Sequence, residues 1–326
     1  MAIMNITGAR AIRHLGLWLL LSHASGALAT ESESEALARA IVANKAQDFN
    51  ASVAIFKQLT DSGSGDGASM LGLMYWSGHG VKMDHHRACD LFATAEQRGN
   101  PNGTELLGDC FFHGDGRVQD YAKSAVLYER ASARGIATAD CALGNQYLRG
   151  LGIEKDPTRA FKLCQKSADR GVADAETDLG QMYLEGVGVE RNPAEAVRWF
   201  QKAVQQGQGN AALLLGKVFW NGDGVERDHD EAASSWLVAF DNGNTSAPAL
   251  LAKYYFVKAT SSGKERTIVV EPATKAAYWG TVATRIDPDP KARESSQKLV
   301  EMLLTVAPTL KPKVDELLAN PRRALQ

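Results

Sequence analysis

No stretch of this sequence is long and apolar enough to span a bilayer, which takes about 20 residues. The longest apolar run, Leu15-Gly16-Leu17-Trp18-Leu19-Leu20-Leu21, is far shorter. Neither sign of charge is in excess: 36 basic residues stand against 38 acidic ones, a net charge of −2, and neither half is strongly basic. That excludes the basic footprint of a nucleic-acid-binding protein. Cysteine is scarce, with four residues and no C-x-x-C pair, so zinc-motif spacing is absent. No His-x-x-x-His pair occurs either. His79, His85, His86 and His113 gather where turns are expected, and such histidines are normally solvated. Active-site signatures are equally sparse. Ser261-x-x-Lys264 and Ser295-x-x-Lys298 match the S-x-x-K of penicillin-recognising enzymes, yet S-D-N and K-T-G are both missing. What the chain has is foldable composition, with 44% hydrophobic and 23% charged residues.

The N-terminus reads as a leader and not as part of the fold. Arg10, Arg13 and His14 form a basic region, and the apolar run follows it. Ala27-x-Ala29 then places small residues at the −3 and −1 positions of a signal-peptidase site. The expectation is export with cleavage after Ala29, giving a periplasmic or secreted product without a membrane span. The alternative is an uncleaved N-terminal anchor. No cysteine stands at the cleavage point, as a bacterial lipoprotein anchor needs.

The dominant signal is an internal repeat. Leu71-Gly72, Leu107-Gly108, Leu143-Gly144, Leu179-Gly180 and Leu215-Gly216 recur at an interval of 36 residues. Four residues after each Leu stands an aromatic: Tyr75, Phe111, Tyr147, Tyr183, Phe219. A Gly-x-Gly follows, from Gly78/Gly80 to Gly222/Gly224, and then Asp84, Asp120, Asp156, Asn192 and Asp228. Each unit closes on a glycine: Gly99, Gly135, Gly171, Gly207, Gly243. The pattern predicts helix, turn, helix. In helix A the Leu and the aromatic one turn later share a face. The Gly-x-Gly ends helix A, because glycine takes φ > 0 cheaply at a helix C-terminus. It follows a helix and not a strand, so it is no phosphate loop. Asp or Asn caps helix B, with Pro157 and Pro193 at its first position. One such hairpin cannot bury both faces, so neighbours must stack.

Residues Ala175 to Ala203 carry A-x-x-x-L-G-x-x-Y-x-x-G-x-G-V, then N-P-x-x-A-x-x-W-F-x-K-A, and this pattern resembles the Sel1-like repeat family, relatives of the tetratricopeptide repeats. The resemblance covers about residues 48–287. It implies an all-α fold, a right-handed α/α superhelical solenoid of helical hairpins. It also implies a role in assembling protein complexes; the sparse active-site signatures add the expectation of no enzymatic activity and no cofactor. The expected organisation is a leader over 1–29, a capping helix and half-repeat over 30–66, and five repeats of 36 residues over 67–246. A divergent sixth repeat with an insertion follows over 247–287, and capping helices over 288–326. Within the sixth repeat the insertion is expected to run from Ser261 to Glu271, with helix B resuming at Pro272. The capping helices are expected over Glu294 to Val306 and Lys311 to Asn320.

The four cysteines are even in number, which in an exported protein suggests disulfides. Folding the hairpins brings Cys141 level with Cys164 inside one repeat, and Cys89 level with Cys110 across an inter-repeat turn. Four free buried thiols are the alternative. Cysteine-rich family members staple their repeats too, at a shorter and regular spacing that this chain does not share.

In stacked hairpins helix A lines the concave surface. Counted from each Leu, positions −2, +2 and +5 cluster on the helix A face away from the core. Position +5 carries Trp76, Phe112, Leu148, Leu184, Trp220 and Phe256. Position +2 carries Leu73, Asp109, Asn145, Gln181, Lys217 and Lys253. An apolar ridge flanked by polar groups suits a protein or peptide partner, since aromatic anchors carry much interface energy. Packing of +5 on the neighbouring repeat is the competing reading. A second functional class also stays open, an enzyme or binding protein for β-lactam or cell-wall-like substrates, because some cysteine-rich members of the family are described in those terms.

Overall fold

The computed structural model describes residues 31–261 and 269–321. The expected leader therefore lies outside the described residues. Among the described residues the chain forms sixteen α-helices and no strand. They fall into two compact units, the first ending at Lys166 and the second starting at Ser167.

In the first unit, α1 (Glu33–Lys45) and α2 (Phe49–Asp61) form the opening hairpin. Three repeats follow as α3 (Gly65–Ser77) with α4 (His85–Gln97), α5 (Pro101–His113) with α6 (Tyr121–Ala133), and α7 (Ala137–Arg149) with α8 (Pro157–Ala168). In the second unit, α9 (Ala173–Glu185) pairs with α10 (Pro193–Gln205), and α11 (Gly209–Asn221) with α12 (His229–Asp241). The unit ends in α13 (Ala247–Ser261), α14 (Val270–Ile286), α15 (Pro290–Val306) and α16 (Leu310–Ala319).

The repeat motif explains each hairpin atom by atom. The first glycine of every Gly-x-Gly is a left-handed C-cap, as at Gly78 with φ 73°. The second glycine has a different task. A methyl at Gly80 would come within 2.7 Å of the Phe49 carbonyl oxygen, and one at Gly116 would collide with the His85 carbonyl. The turn thus rests on the first turn of the preceding helix B, and only a residue without Cβ fits there. The capping acid then closes the hairpin from both ends. The Asp84 carboxylate accepts from Arg87 N–H at 2.9 Å, while its own N–H donates to the Tyr75 carbonyl at 2.9 Å. The glycine after the Leu makes room for a large side chain from helix B in four of the five repeats, and for the Cys164 sulfur at Gly144. Phe92 lies under Gly72, Tyr128 under Gly108, Phe200 under Gly180 and Trp236 under Gly216. All four are 2% exposed or less and, with buried alanines such as Ala88, Ala95, Ala196 and Ala203, form the core.

Successive repeats are also joined by polar ties at the start of helix A. Asn100 donates to Asp66 at 2.6 Å and accepts from Ser69 at 2.9 Å. In the second unit Gln208 donates to Asp174, and Asn244 to Asn210, both at 2.8 Å. These ties satisfy buried or half-buried amides and fix one repeat's register on the next.

Two of the C-terminal helices start earlier than the sequence suggests. α14 begins at Val270, so Glu271 and Pro272 lie in its first turn and not before it. A first-turn proline costs no helical hydrogen bond, because its missing N–H would have had no partner. α15 begins at Pro290, not Glu294, with the Asp289 carboxylate accepting from Lys291 N–H at 2.9 Å.

Candidate functional site

The +5 side chains are neither core nor free surface. Trp76, Phe112, Leu148, Leu184 and Trp220 are all half-buried. The aromatic ones lean on the first residue of helix B in their own repeat. Trp76 stacks on His85 with ring centroids 4.4 Å apart, and Trp220 on His229 at 4.2 Å. Phe112 meets Tyr121 edge-on at 5.5 Å. Where +5 is leucine, at Leu148 and Leu184, the first helix B residue is Pro157 or Pro193. In these five repeats ring is matched with ring and leucine with proline, whereas after Phe256 of the sixth the helix begins with Val270. The helix B position was read from sequence only as a capping site, so this match went unseen.

The +2 residues beside them differ in setting. Asp109 is half-buried and accepts from the Tyr128 hydroxyl at 2.7 Å. The burial of Tyr128 first, then the Asp109 charge and that bond, push the phenol's pKa up. Asn145 is half-buried, while Gln181 and Lys217 are exposed. Gln181 donates to Glu185 at 2.7 Å. Lys253 is exposed, and its Nζ lies over the Trp220 ring, 5.2 Å from the centroid.

One residue of this face escaped the sequence reading. Glu105 stands at position −2, one turn before Asp109. Burial first, and the Asp109 charge second, push its carboxyl up to about 7, against a hydrogen bond from Thr138 that pulls it down. The signal was present: Glu105 is the only charged residue in a −2 column that otherwise reads Ser69, Cys141, Thr177 and Leu213.

The remaining chemistry is dispersed. Cys89 is bonded to Cys110 and Cys141 to Cys164, the pairs that the antiparallel heights predict. The first joins α4 to α5, between repeats, and the second joins α7 to α8, within one. His79 stacks on Phe49 at 4.5 Å and His113 lies edge-on to Phe112 at 5.0 Å. Ser295 and Lys298 are exposed on α15, and Lys298 is paired with Glu294 at 2.6 Å. Nothing there activates a serine. Ser261-x-x-Lys264 extends outside the described residues.

Comparison with known proteins agrees with this architecture. The family model for the Sel1 repeat matches residues 65–100, 103–136, 137–172, 173–208 and 209–234, together just over half of the chain. Among solved structures, a protective antigen present in uropathogenic Escherichia coli strains, displaying an SLR fold, is similar at 25% identity and a TM-score of 0.61. That match covers 84% of this chain and 57% of the antigen, so the chain spans little more than half the antigen's length. A Sel1 repeat protein from Oxalobacter formigenes is similar at 23% identity and a TM-score of 0.65, over 78% of this chain and 99% of that one. None of the curated proteins matches. The hairpins, the glycine and acid caps and these matches have one reading: the chain is an all-α solenoid and belongs to the Sel1 repeat family.

Proposed function

We propose that this Sel1 repeat protein is an exported scaffold that holds a protein or peptide partner against the helix A face of its repeats. The observation carrying this reading is the +5 column. Its rings are half-buried, braced from behind by helix B, and bordered by polar +2 residues. A rigid aromatic braced on one side, as Trp76 is by His85, is the kind of anchor that dominates protein interfaces. Leu148 extends the column in the first unit, with Asn145 near it in sequence, and Leu184 extends it in the second, with Gln181 and Lys217. Export is supported by the leader-like N-terminus and by two disulfides, which persist in oxidising compartments.

The test is co-purification from the exported fraction, with the wild type beside a Trp76→Ala/Trp220→Ala variant. The variant should lose at least tenfold in recovered partner while keeping its helical circular dichroism. Retained partner would defeat the reading, and so would unfolding with no specific loss of binding. N-terminal sequencing of the same fraction should begin after Ala29; an intact Met1 would remove the export claim.

A further inference from the structure

The turn of the first repeat borders a cleft of about 430 Å³, lined by Tyr75, Val81, Lys82, Met83, Asp84 and Arg87. That volume lies within the range usual for ligand clefts, about 300–1,000 Å³. All six residues belong to the first unit. Two cations, Lys82 and Arg87, share the lining with the apolar Val81, the exposed Met83 and the Tyr75 ring.

Arg87 is held in place but not neutralised. Its guanidinium lies over the Tyr75 ring, 4.4 Å from the centroid. Stacking uses the flat face of a guanidinium and leaves its in-plane N–H groups for an acceptor. Among the described residues neither Arg87 nor Lys82 has an ion pair, and neither side chain makes a hydrogen bond. The one acid of the cleft, Asp84, is engaged as the cap of α4, accepting from the Arg87 backbone N–H at 2.9 Å. In the next two repeats the same ring-and-cation contact is closed within the fold. Lys123, over Phe111, pairs with Asp120 at 3.0 Å, and Arg159, over Tyr147, pairs with Glu129 at 3.6 Å.

The repeat does not require this charge. In the fourth and fifth repeats the positions of Lys82 and Arg87 hold acids, Glu190 and Glu195, then Glu226 and Glu231. The position of Met83 holds Arg191 and Arg227 there. The first repeat therefore reverses the sign: two bases stand where those repeats have two acids, and a methionine where they have an arginine.

We propose that this cleft receives a glutamate side chain of an acidic partner peptide, its carboxylate between Arg87 and Lys82 and its stem against Met83 and Tyr75. Charge complementarity selects an acid. The planar fork of an arginine matches a carboxylate, and the apolar part of the lining suits the methylenes of glutamate. The proposal goes beyond the helix A face and does not depend on it, since none of these residues belongs to the +5 or +2 columns.

Titration of the isotope-labelled full chain with acetylated, amidated Leu-Glu-Leu at constant ionic strength, read by amide chemical shifts, tests it. Leu-Gln-Leu is the neutral counterpart and Leu-Lys-Leu the charge-reversed one. The glutamate peptide should bind about tenfold more tightly than the glutamine peptide, with the largest shifts between Val81 and Arg87. Lys82→Glu/Arg87→Glu installs side chains that the fourth and fifth repeats already accommodate, and should turn the preference toward Leu-Lys-Leu. Lys82→Gln/Arg87→Gln should bring the glutamate and glutamine peptides within about twofold of each other, and it covers the case in which the first variant loses its helical circular dichroism. Equal binding of the glutamate and glutamine peptides to the wild type would overturn the proposal. So would a glutamate preference that survives in either variant, or the absence of saturable shifts with Leu-Glu-Leu at millimolar concentration.

Discussion

At the scale of single residues, Glu105 gives the sharpest expectation. Its carboxyl titrates near 7 in the fold, against 4.5 as the ordinary value. Between those two pH values the folded protein holds a proton that the unfolded chain has released. Stability therefore falls as pH rises through this window and levels off above it. Glu105→Gln removes the titration. The variant should be more stable than the wild type by about 3 kcal/mol at pH 8, with the gap closing toward pH 5. Urea melts at the two pH values would show it; a gap independent of pH would mean that packing and not charge sets the difference. This residue also marks a limit of sequence reading. Glu105 and Asp109 are visible as acids one turn apart, but the burial that raises one of them is not. Periodicity along a single helix does not report how deeply a neighbour covers it. The column of rings was legible for the same reason that its brace was not. Trp76, Phe112 and Trp220 recur at a fixed spacing, whereas their contacts with His85, Tyr121 and His229 cross a turn of the chain.

At the scale of elements, glycines of similar backbone conformation should respond very differently to substitution. Gly116 and Gly135 both have left-handed φ, 71° and 89°. A methyl at Gly135 meets nothing within 4 Å, whereas at Gly116 it meets the His85 backbone. Gly135→Ala should cost about 1 kcal/mol, the conformational penalty alone. Gly116→Ala should cost about 3 kcal/mol or more, because the turn must lift off α4. Chemical denaturation of the two variants would separate these values, and equal costs would refute the resting-turn account. Most helix boundaries were legible because each is written twice, as a capping acid and as a terminal glycine. α3 through α12 carry both marks or one of them. α14 and α15 do not, since their first turns contain Pro272 and Pro290, and a proline there reads equally as the end of a loop.

At the scale of the whole molecule, the two compact units are stabilised by different means. Both disulfides, Cys89–Cys110 and Cys141–Cys164, lie in the first unit. They close loops with sequence separations of 21 and 23 residues, each worth about 3 kcal/mol in the unfolded-chain account. The second unit has no such link among its described residues and packs Trp236, Trp279 and Phe200 at 1% exposure or less. Reduction should accordingly loosen one unit only. Amide hydrogen exchange after reduction should quicken across α4 to α8 and stay unchanged across α10 to α14; a uniform response would contradict the division. The solenoid itself was fully legible, since a repeat written five times in one register leaves little freedom. The division into units was not, because the register runs across it without a break. The unequal share of large rings has a practical side. Of six tryptophans, Trp199, Trp220, Trp236 and Trp279 belong to the second unit, and Trp18 precedes the expected cleavage site. Trp76 is then the sole indole in the disulfide-bonded half. Intrinsic fluorescence thus gives an optical readout weighted toward the half that a reductant leaves intact. A melt followed in that channel would report mainly on the half that stays folded, with Trp76 alone reporting the other.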